Sequence, residues 1–310
     1  MGKAKDRPKG YRPPLQFLLR EKLEGGNILS PGRFADDKVA ATRASCIVMV
    51  HGFNNTDGEA AYAYEGFRAR LIEAFGATTD ELNARLGDTF WAGDADWGWF
   101  DFADFGVYSR AIGHAHQAAN ELVKLLERMP NLVEISFIAH SLGCRVTIEA
   151  IHHLIAKGQG GKIRRVCLMA AAIPMEKLEP GGDFHDTLAT LASNGTQVFV
   201  MHSRQDKVLH YAFSLGQQMG GPGERSARAL GRDGPNPLMP GYHGTLDEMQ
   251  MGGADHGDYW GHSNKAIARE SAKWAGRFFE FDRRGREVGV ARPIGFAEPG
   301  FPSRPAFESD

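Results

Sequence analysis

Short apolar segments alternate with segments of helical periodicity along this chain, and this alternation constrains its fold more than any other feature. Predicted strands at 133–138, 166–170 and 198–201 are followed by predicted helices at 142–156 and 184–192 and by a further helix-like piece. Strands without polar alternation are covered on both faces of a sheet, and strands joined by helices run parallel. The pattern therefore predicts an α/β protein with a doubly wound, mostly parallel central sheet flanked by helices.

The same pattern extends to both sides of this region. A predicted strand at 46–50 precedes a helix at 60–75, a short strand within DTFWAGDADWG and an amphipathic helix at 108–129; a last helix is predicted at 263–280. The segment 214–251 is rich in Gly, Pro and Met and shows little periodicity, which predicts a lid or insertion. We therefore divide the chain into a lead-in at 1–43 with room for edge strands, a domain at 44–280 that includes the lid, and a Pro- and Gly-rich tail at 281–310.

Composition and charge favour a globular enzyme. The 310 residues carry a net charge of −2, so no global field points to nucleic acid or to an anionic membrane. No segment is apolar enough to span a bilayer, and no apolar core follows the first lysines as in a secretory signal. Cys46, Cys144 and Cys167 lack the spacing of a disulfide framework or zinc site and are predicted to be buried free thiols. We expect a cytoplasmic protein without stable membrane insertion.

Ser141 stands in FIAHSLGCR, where a predicted strand ends and a predicted helix begins. It is either an ordinary cap of that helix or a nucleophile held at a strained strand-to-helix turn. The small residues Ala139 and Gly143 flank it at two positions on either side, where bulk would clash in such a turn. Ser214 lacks a preceding strand and is discarded. The motif alone leaves the two interpretations equal, and the neighbouring loops favour the nucleophile.

An acid and a histidine are expected further along the chain, because this kind of turn occurs with the order nucleophile, acid, histidine. Asp206 follows the strand at 198–201, so it lies at the carboxyl edge of the sheet, where such sheets bind ligands. Its neighbour Lys207 offers an ion pair as the alternative role. Asp183 and Asp186 are the other candidate acids. For the histidine, DHGDYWGH offers His256 and His262, and we favour His256 because His262 adjoins the last helix; His202, His210 and His243 lie too close to the acid or inside the predicted lid.

The sequence VMVHGFNN places a His-Gly pair at the end of an earlier strand. In a nucleophile turn, one oxyanion donor is the amide after the nucleophile, here Leu142, and by position the second is the amide of Phe53. Gly52 lets the backbone approach without a side chain. A plain turn is the alternative. Further residues near the serine are predicted to line its pocket: His51, Asn54 and His140.

The motifs VMVHGFNN, FIAHSLG, SRQDKVL and DHGDYW, in this order, resemble the α/β-hydrolase superfamily, most closely its bacterial esterase/lipase-like members of unassigned substrate. The resemblance covers residues 44–280. It implies the α/β-hydrolase fold and a site that needs no metal or organic cofactor. It assigns these roles: Ser141 the nucleophile, His256 the base, Asp206 the orienting acid, and the amides of Phe53 and Leu142 the oxyanion hole. The chain departs from the commonest pattern at Ala139, where glycine is usual, and in the weakly marked strand within TLDEMQMGGAD.

The resemblance implies hydrolysis of a small-molecule carboxylic ester through an acyl-enzyme on Ser141. The aromatic stretch FWAGDADWGWFDFADFG either packs under a loop or, through Trp97 and Trp99, forms an apolar wall for the substrate. An acyltransferase or thioesterase with the same three residues is an alternative, as is a non-catalytic binding protein of the same fold. A nucleotide-binding protein is disfavoured because no G-x-G-x-x-G or P-loop follows a strand.

Overall fold

A single sheet organises the fold. The structure, a computed structural model, describes residues 6–20, 28–53, 55–93, 105–213, 228–242, 244–261 and 264–281. Within them, eight strands have the spatial order β2-β1-β4-β3-β5-β6-β7-β8. Strand β2 runs antiparallel to β1, and every other neighbouring pair is parallel. The strands are β1 Gln16–Arg20, β2 Ile28–Phe34, β3 Ser45–Val50, β4 Leu86–Phe90, β5 Glu134–His140, β6 Ile163–Met169, β7 Gln197–His202 and β8 Leu246–Gln250.

Helices cover both faces of the sheet, as predicted. Cys46, Val48 and Val50 of β3 enter one buried apolar cluster with α4, α5 and α6, whereas Ile47 and Met49 enter a second cluster with α2, α3 and α8. Because alternate strand residues point to opposite faces, the two clusters lie on opposite sides of the sheet. The helices are α1 Asp37–Thr42, α2 Asp57–Phe75, α3 Thr79–Arg85, α4 Phe105–Glu127, α5 Leu142–Ala156, α6 His185–Ser193, α7 Leu230–Asp233 and α8 Lys265–Phe278, with a π-helical turn at Val208–Phe213.

The lead-in contributes more to the sheet than its polar, Pro-rich sequence indicates. Strand β1 is buried and parallel to β4. Ahead of it, the Tyr11 hydroxyl donates to a carboxylate oxygen of Asp88 at 2.6 Å, and Arg68 of α2 donates to the other carboxylate oxygen, also at 2.6 Å. Arg68 also donates to the Tyr11 hydroxyl, and Arg7 forms an ion pair with Asp57 at the start of α2. These polar contacts fix the lead-in against α2 and β4.

Part of the segment predicted as a lid belongs to the sheet instead. Strand β8 falls within it, next to β7. Ala229 and Leu230 are buried, and the amide of Leu230 donates to the carbonyl of Ile173 in the segment that follows β6. Strand β8 is the weakly marked strand that the resemblance implies within TLDEMQMGGAD, and its acidic and methionine residues show no clear alternation. The lid prediction remains for 214–227, which lie outside the described residues.

Within the described part of the chain, no helix combines the length and the apolar character that crossing a membrane requires. Cys46, Cys144 and Cys167 are buried and unpaired, as predicted.

Candidate active site

Ser141 occupies a strained turn between β5 and α5. Its backbone has φ 55° and ψ −128°, a positive φ that a residue with a Cβ rarely adopts. Backbone hydrogen bonds to β6 and to the segment after it hold the turn. The Ser141 amide donates to the carbonyl of Met169 at 3.0 Å, and the Ser141 carbonyl accepts from the amide of Ala172 at 3.1 Å. The side chain makes no capping hydrogen bond to α5. Ser141 thus occupies the N-cap position of the helix without capping it through its hydroxyl.

Two glycines allow the turn to approach β3. A Cβ on Gly143 would overlap the carbonyl oxygen of His51 and lie 2.7 Å from that of Val50. A Cβ on Gly52 would lie 2.8 Å from the Cβ of Ser141. The start of α5 is thus packed directly on the end of β3, with no space for a side chain at either contact. This packing brings residues 51–53, which we call the donor loop, next to the serine.

A continuous chain of hydrogen bonds joins Ser141, His256 and Asp206. The Oγ of Ser141 lies 2.7 Å from Nε2 of His256, and Nδ1 of His256 lies 2.7 Å from Oδ2 of Asp206. Asp206 is fully buried, and its Oδ1 accepts from the amide of Leu209 at 2.9 Å. With Oδ1 satisfied by this amide, the carboxylate presents Oδ2 to the imidazole. The three side chains come from loops that follow β5, β7 and β8.

The other candidate acids lie elsewhere. Asp183 pairs with Lys177 at 2.6 Å, and this cation holds the pKa of Asp183 below its usual value. Asp186 is exposed on α6 and contacts His185. Lys207 does not pair with its neighbour Asp206 through a described contact; its amide donates to Asp255. The competing histidines His262 and His243 lie outside the described residues.

Side-chain contacts join the loop that carries Asp206 to the loop that carries His256. We call these the acid loop, residues 203–207, and the histidine loop, residues 251–261. Ser203 donates its hydroxyl to the carbonyl of Ala254 at 2.7 Å. The carboxylate of Asp255 accepts from the amides of both His256 and Lys207, at 2.9 and 3.2 Å. Sequence reasoning missed Asp255, because an acidic residue beside a histidine gives no sign of the backbone amides it binds.

His51 supports the donor loop from beneath and does not line an accessible pocket, since it has no exposed surface. Its Nδ1 donates to the carbonyl of Gly52 at 2.8 Å, and its ring is stacked on Trp91 at 5.6 Å. Trp91 returns two hydrogen bonds, from its amide to His51 Nε2 and from its indole to the His51 carbonyl. Burial lowers the pKa of His51 to about 3, so the ring is neutral. The pairing with Trp91 was not predicted.

Of the remaining predicted residues, some lie near Ser141 in the structure and others lie outside the described residues. Leu142 is the first residue of α5, whose first amides have no acceptor within the helix, and Phe53 lies in the donor loop beside Gly52. His140 ends β5 and donates from Nε2 to the carbonyl of His256 at 2.7 Å. Three pocket candidates lie outside the described residues: Asn54, Trp97 and Trp99.

These features define an α/β-hydrolase fold, in which the loops after the parallel strands converge on Ser141. Residues 33–221 match the family described as alpha/beta hydrolase of unknown function (DUF900), and the chain belongs to this family. The matched region includes Ser141 and Asp206 and ends before His256.

Three solved structures illustrate the likeness to known proteins. Est1E from Butyrivibrio proteoclasticus with ferulic acid has 12% identity and a TM-score of 0.39, covering 77% of this chain and 90% of that one. Esterase 2 of Thermogutta terrifontis phosphoramylated by tabun has 13% identity and a TM-score of 0.39, covering 78% and 84%. An esterase from Pyrobaculum calidifontis has 13% identity and a TM-score of 0.40, covering 77% and 75%. No curated protein matches the sequence significantly.

Proposed function

We propose that this hydrolase is a serine esterase that cleaves a small-molecule carboxylic ester through an acyl-enzyme on Ser141. The observation that carries the proposal is the chain of hydrogen bonds from Ser141 through His256 to the buried Asp206, built on a strained turn. Strain of about 1–3 kcal/mol at one residue persists only where the surroundings enforce it, and it is concentrated at functional sites. A serine, a base and an acid in this contact order are the requirement for nucleophilic catalysis by a hydroxyl.

The hydrogen bonds set the direction of proton transfer. An ionised carboxylate only accepts, so Nδ1 of His256 carries a proton toward Asp206 and Nε2 keeps its lone pair toward Ser141. Nε2 then removes the hydroxyl proton as Oγ attacks the ester carbonyl carbon. The imidazolium that results is stabilised by Asp206 and returns its proton to the departing alcohol. The products of this half-reaction are the alcohol and an acyl ester on Ser141.

The second half-reaction repeats these steps with water. His256 removes a proton from the water that attacks the acyl carbonyl, and Oγ recovers it as the carboxylic acid leaves. In both half-reactions, the backbone amides of Phe53 and Leu142 are assigned the role of donating hydrogen bonds to the negatively charged carbonyl oxygen. Removal of one oxyanion-hole donor costs about 10²- to 10³-fold in kcat in a well-studied acyl-transfer enzyme.

The test is a screen of p-nitrophenyl esters of graded acyl length, run on wild-type protein, on Ser141→Ala and on Ser193→Ala. Ser193 is an exposed residue at the end of α6 and serves as the matched control. We expect the wild type and the control to hydrolyse at least one ester at equal rates, and Ser141→Ala to lose the activity. Absence of hydrolysis across the series, or an active Ser141→Ala variant, contradicts the proposal.

The same screen addresses the substrate and the acceptor. If Trp97 and Trp99 form an apolar wall, the rate rises with acyl length until the pocket is filled. Adding an alcohol or a thiol to the assay distinguishes a hydrolase, which releases only acid, from an acyltransferase, which forms a new ester or thioester. We also propose a cytoplasmic location, on the three buried unpaired cysteines that are usual in reducing compartments.

A further inference from the structure

We propose that His140 is a positioning residue, which orients His256 by donating a hydrogen bond from Nε2 to the His256 backbone carbonyl. The inference rests on the proposed function, because it concerns the base of that reaction. The inference goes beyond the proposed function because it gives a role to His140, the residue that immediately precedes Ser141. The described hydrogen bond of His140 goes to the backbone of His256 and not to either side chain that exchanges the proton, so His140 acts on the reaction through the position of His256.

The backbone of His256 is held by side chains on both of its polar groups. His140 Nε2 donates to its carbonyl at 2.7 Å, and Asp255 Oδ1 accepts from its amide at 2.9 Å. His256 lies in the histidine loop between β8 and α8, so neither a strand ladder nor a helix fixes its backbone. The two side chains therefore take the place of secondary structure in orienting this residue.

The base has little freedom to move. Its ring is within 2.7 Å of Ser141 Oγ on one side and within 2.7 Å of Asp206 Oδ2 on the other. A displacement of His256 lengthens at least one of these hydrogen bonds, and a misplacement of ~1 Å at a reacting group costs about 10²-fold in rate. The rate of the chemical step therefore depends on the position of the His256 backbone.

His140 is suited to a fixed donor role. It is 7% exposed, and its ring lies 5.1 Å from the His256 ring and 5.9 Å from that of Trp260. Because its partner is a carbonyl, Nε2 must carry the proton of the neutral ring. Burial lowers the pKa of His140 to about 3, and no described residue accepts a hydrogen bond from Nδ1. The ring therefore stays in one protonation state and one tautomer over the working pH range.

Three substitutions separate the donor from the bulk of the ring. In His140→Gln, the side-chain amide nitrogen can occupy the place of Nε2 and keep the donor. In His140→Asn, the same amide group is one methylene shorter and cannot reach the carbonyl of His256. In His140→Phe, the ring volume is retained and the donor is lost. Glutamine and asparagine differ in reach but not in chemistry, so they are a matched pair.

We expect kcat of His140→Gln to stay within about threefold of wild type. We expect kcat of His140→Asn and His140→Phe to fall about 10- to 100-fold, with KM changed less than about threefold, because an interaction that orients the base affects the chemical step and not substrate binding. Thermal unfolding of each variant is measured alongside. A role limited to stability would lower the folded fraction and leave kcat per folded molecule unchanged.

The positioning role is overturned if all three variants keep wild-type kcat, or if glutamine fails as badly as asparagine while the protein remains folded. These results leave the proposed function intact, provided that the wild type hydrolyses an ester and Ser141→Ala does not. If wild type and Ser141→Ala both fail to hydrolyse any ester, the proposed function itself fails. The two failures are therefore distinguishable.

Discussion

The two sides of Ser141 are built by different interactions. The donor loop rests on the stacked rings of His51 and Trp91, both without exposed surface, and on glycine contacts that exclude a Cβ. The histidine loop is held by hydrogen bonds from side chains, and the His256 side chain itself is 15% exposed. The approach of the donor loop to Ser141 depends on close packing at glycines, whereas His256 itself is held by hydrogen bonds, although Tyr259 and Trp260 of its loop are buried in the core.

This difference predicts two kinds of sensitivity. Close-packed contacts tolerate no added volume, because interiors are as dense as organic crystals and an extra methyl must displace backbone. Polar contacts depend on a donor or acceptor at one position, so an isosteric group that supplies the same atom should replace them. Substitutions on the two sides can test the distinction in order of expected effect.

The largest effect is expected at Asp206, the one residue on the polar side for which isosteric replacement should fail. Asp206→Asn keeps the volume but offers an amide that can donate to His256, which favours the wrong tautomer of the imidazole. We expect kcat to fall about 10³-fold, measured on the best ester found. A variant within tenfold of wild type would show that Asp206 does not orient His256.

A smaller effect is expected from one added methyl on the packed side. Gly143→Ala places a Cβ against the carbonyls of Val50 and His51, so α5 or the donor loop must shift. We expect about a 100-fold loss of kcat and a loss of about 1–3 kcal/mol in the free energy of unfolding. Both are measured, the second by urea titration.

Gly113→Ala is the control for this methyl. Gly113 lies in α4 with nothing within 4 Å of an added Cβ. This variant should retain full activity and gain about 0.5–1 kcal/mol in stability, because alanine favours a helix over glycine. Full activity in Gly143→Ala would mean that the donor side is not limited by packing.

Asp255 tests whether the polar side accepts an isosteric substitute. Asp255→Asn keeps an oxygen acceptor for the amides of His256 and Lys207, whereas Asp255→Ala removes it. We expect kcat within about threefold of wild type for asparagine and about tenfold lower for alanine, with KM little changed in both. If both variants lost the same fraction of kcat, the negative charge of Asp255 would matter and not the oxygen acceptor that positions the two amides.

The smallest effect concerns stability and pH. Burial lowers the pKa of His140 to about 3, against ~6.5 in an unfolded chain. Between these values the unfolded chain binds a proton that the folded chain does not, so this group lowers stability as pH falls. His140→Gln removes it. The free energy of unfolding is measured for both proteins at pH 6 and at pH 5. We expect it to fall between these values by about 1 kcal/mol more in the wild type than in His140→Gln. An equal fall in the two proteins would contradict a buried, neutral His140.

Much of the fold could be predicted because buried strands and amphipathic helices leave a direct pattern in sequence. The parallel sheet, the helices on both faces and the turn at Ser141 were anticipated from apolar runs such as that of β5. Strands β1 and β2 were expected only as unlocated edge strands of the lead-in, and β8 only as a weakly marked strand, because β2 and β8 lie at sheet edges and β1 follows a Pro-rich segment. Edge strands bury less and alternate less clearly.

The candidate site was predictable where residues follow strands, and not where they act through contacts across the chain. Ser141, Asp206 and His256 were each predicted to follow a strand of the parallel sheet, and in the structure their side chains are in contact. Their catalytic roles are proposals. The support by His51 and Asp255 could not be predicted, because it depends on hydrogen bonds to backbone groups whose positions exist only in the fold. That His140 lines a pocket stays a prediction, and the hydrogen bond of its Nε2 to the carbonyl of a residue 116 positions away could not be predicted.

The central claim is that Ser141 is a nucleophile activated by His256. A fluorophosphonate probe reacts preferentially with an activated serine, and mass spectrometry of the digested protein identifies the modified residue. We predict one phosphonylated site, at Ser141, lost in Ser141→Ala and slowed at least tenfold in His256→Ala. An unlabelled wild type, or labelling that persists in Ser141→Ala, would contradict the account.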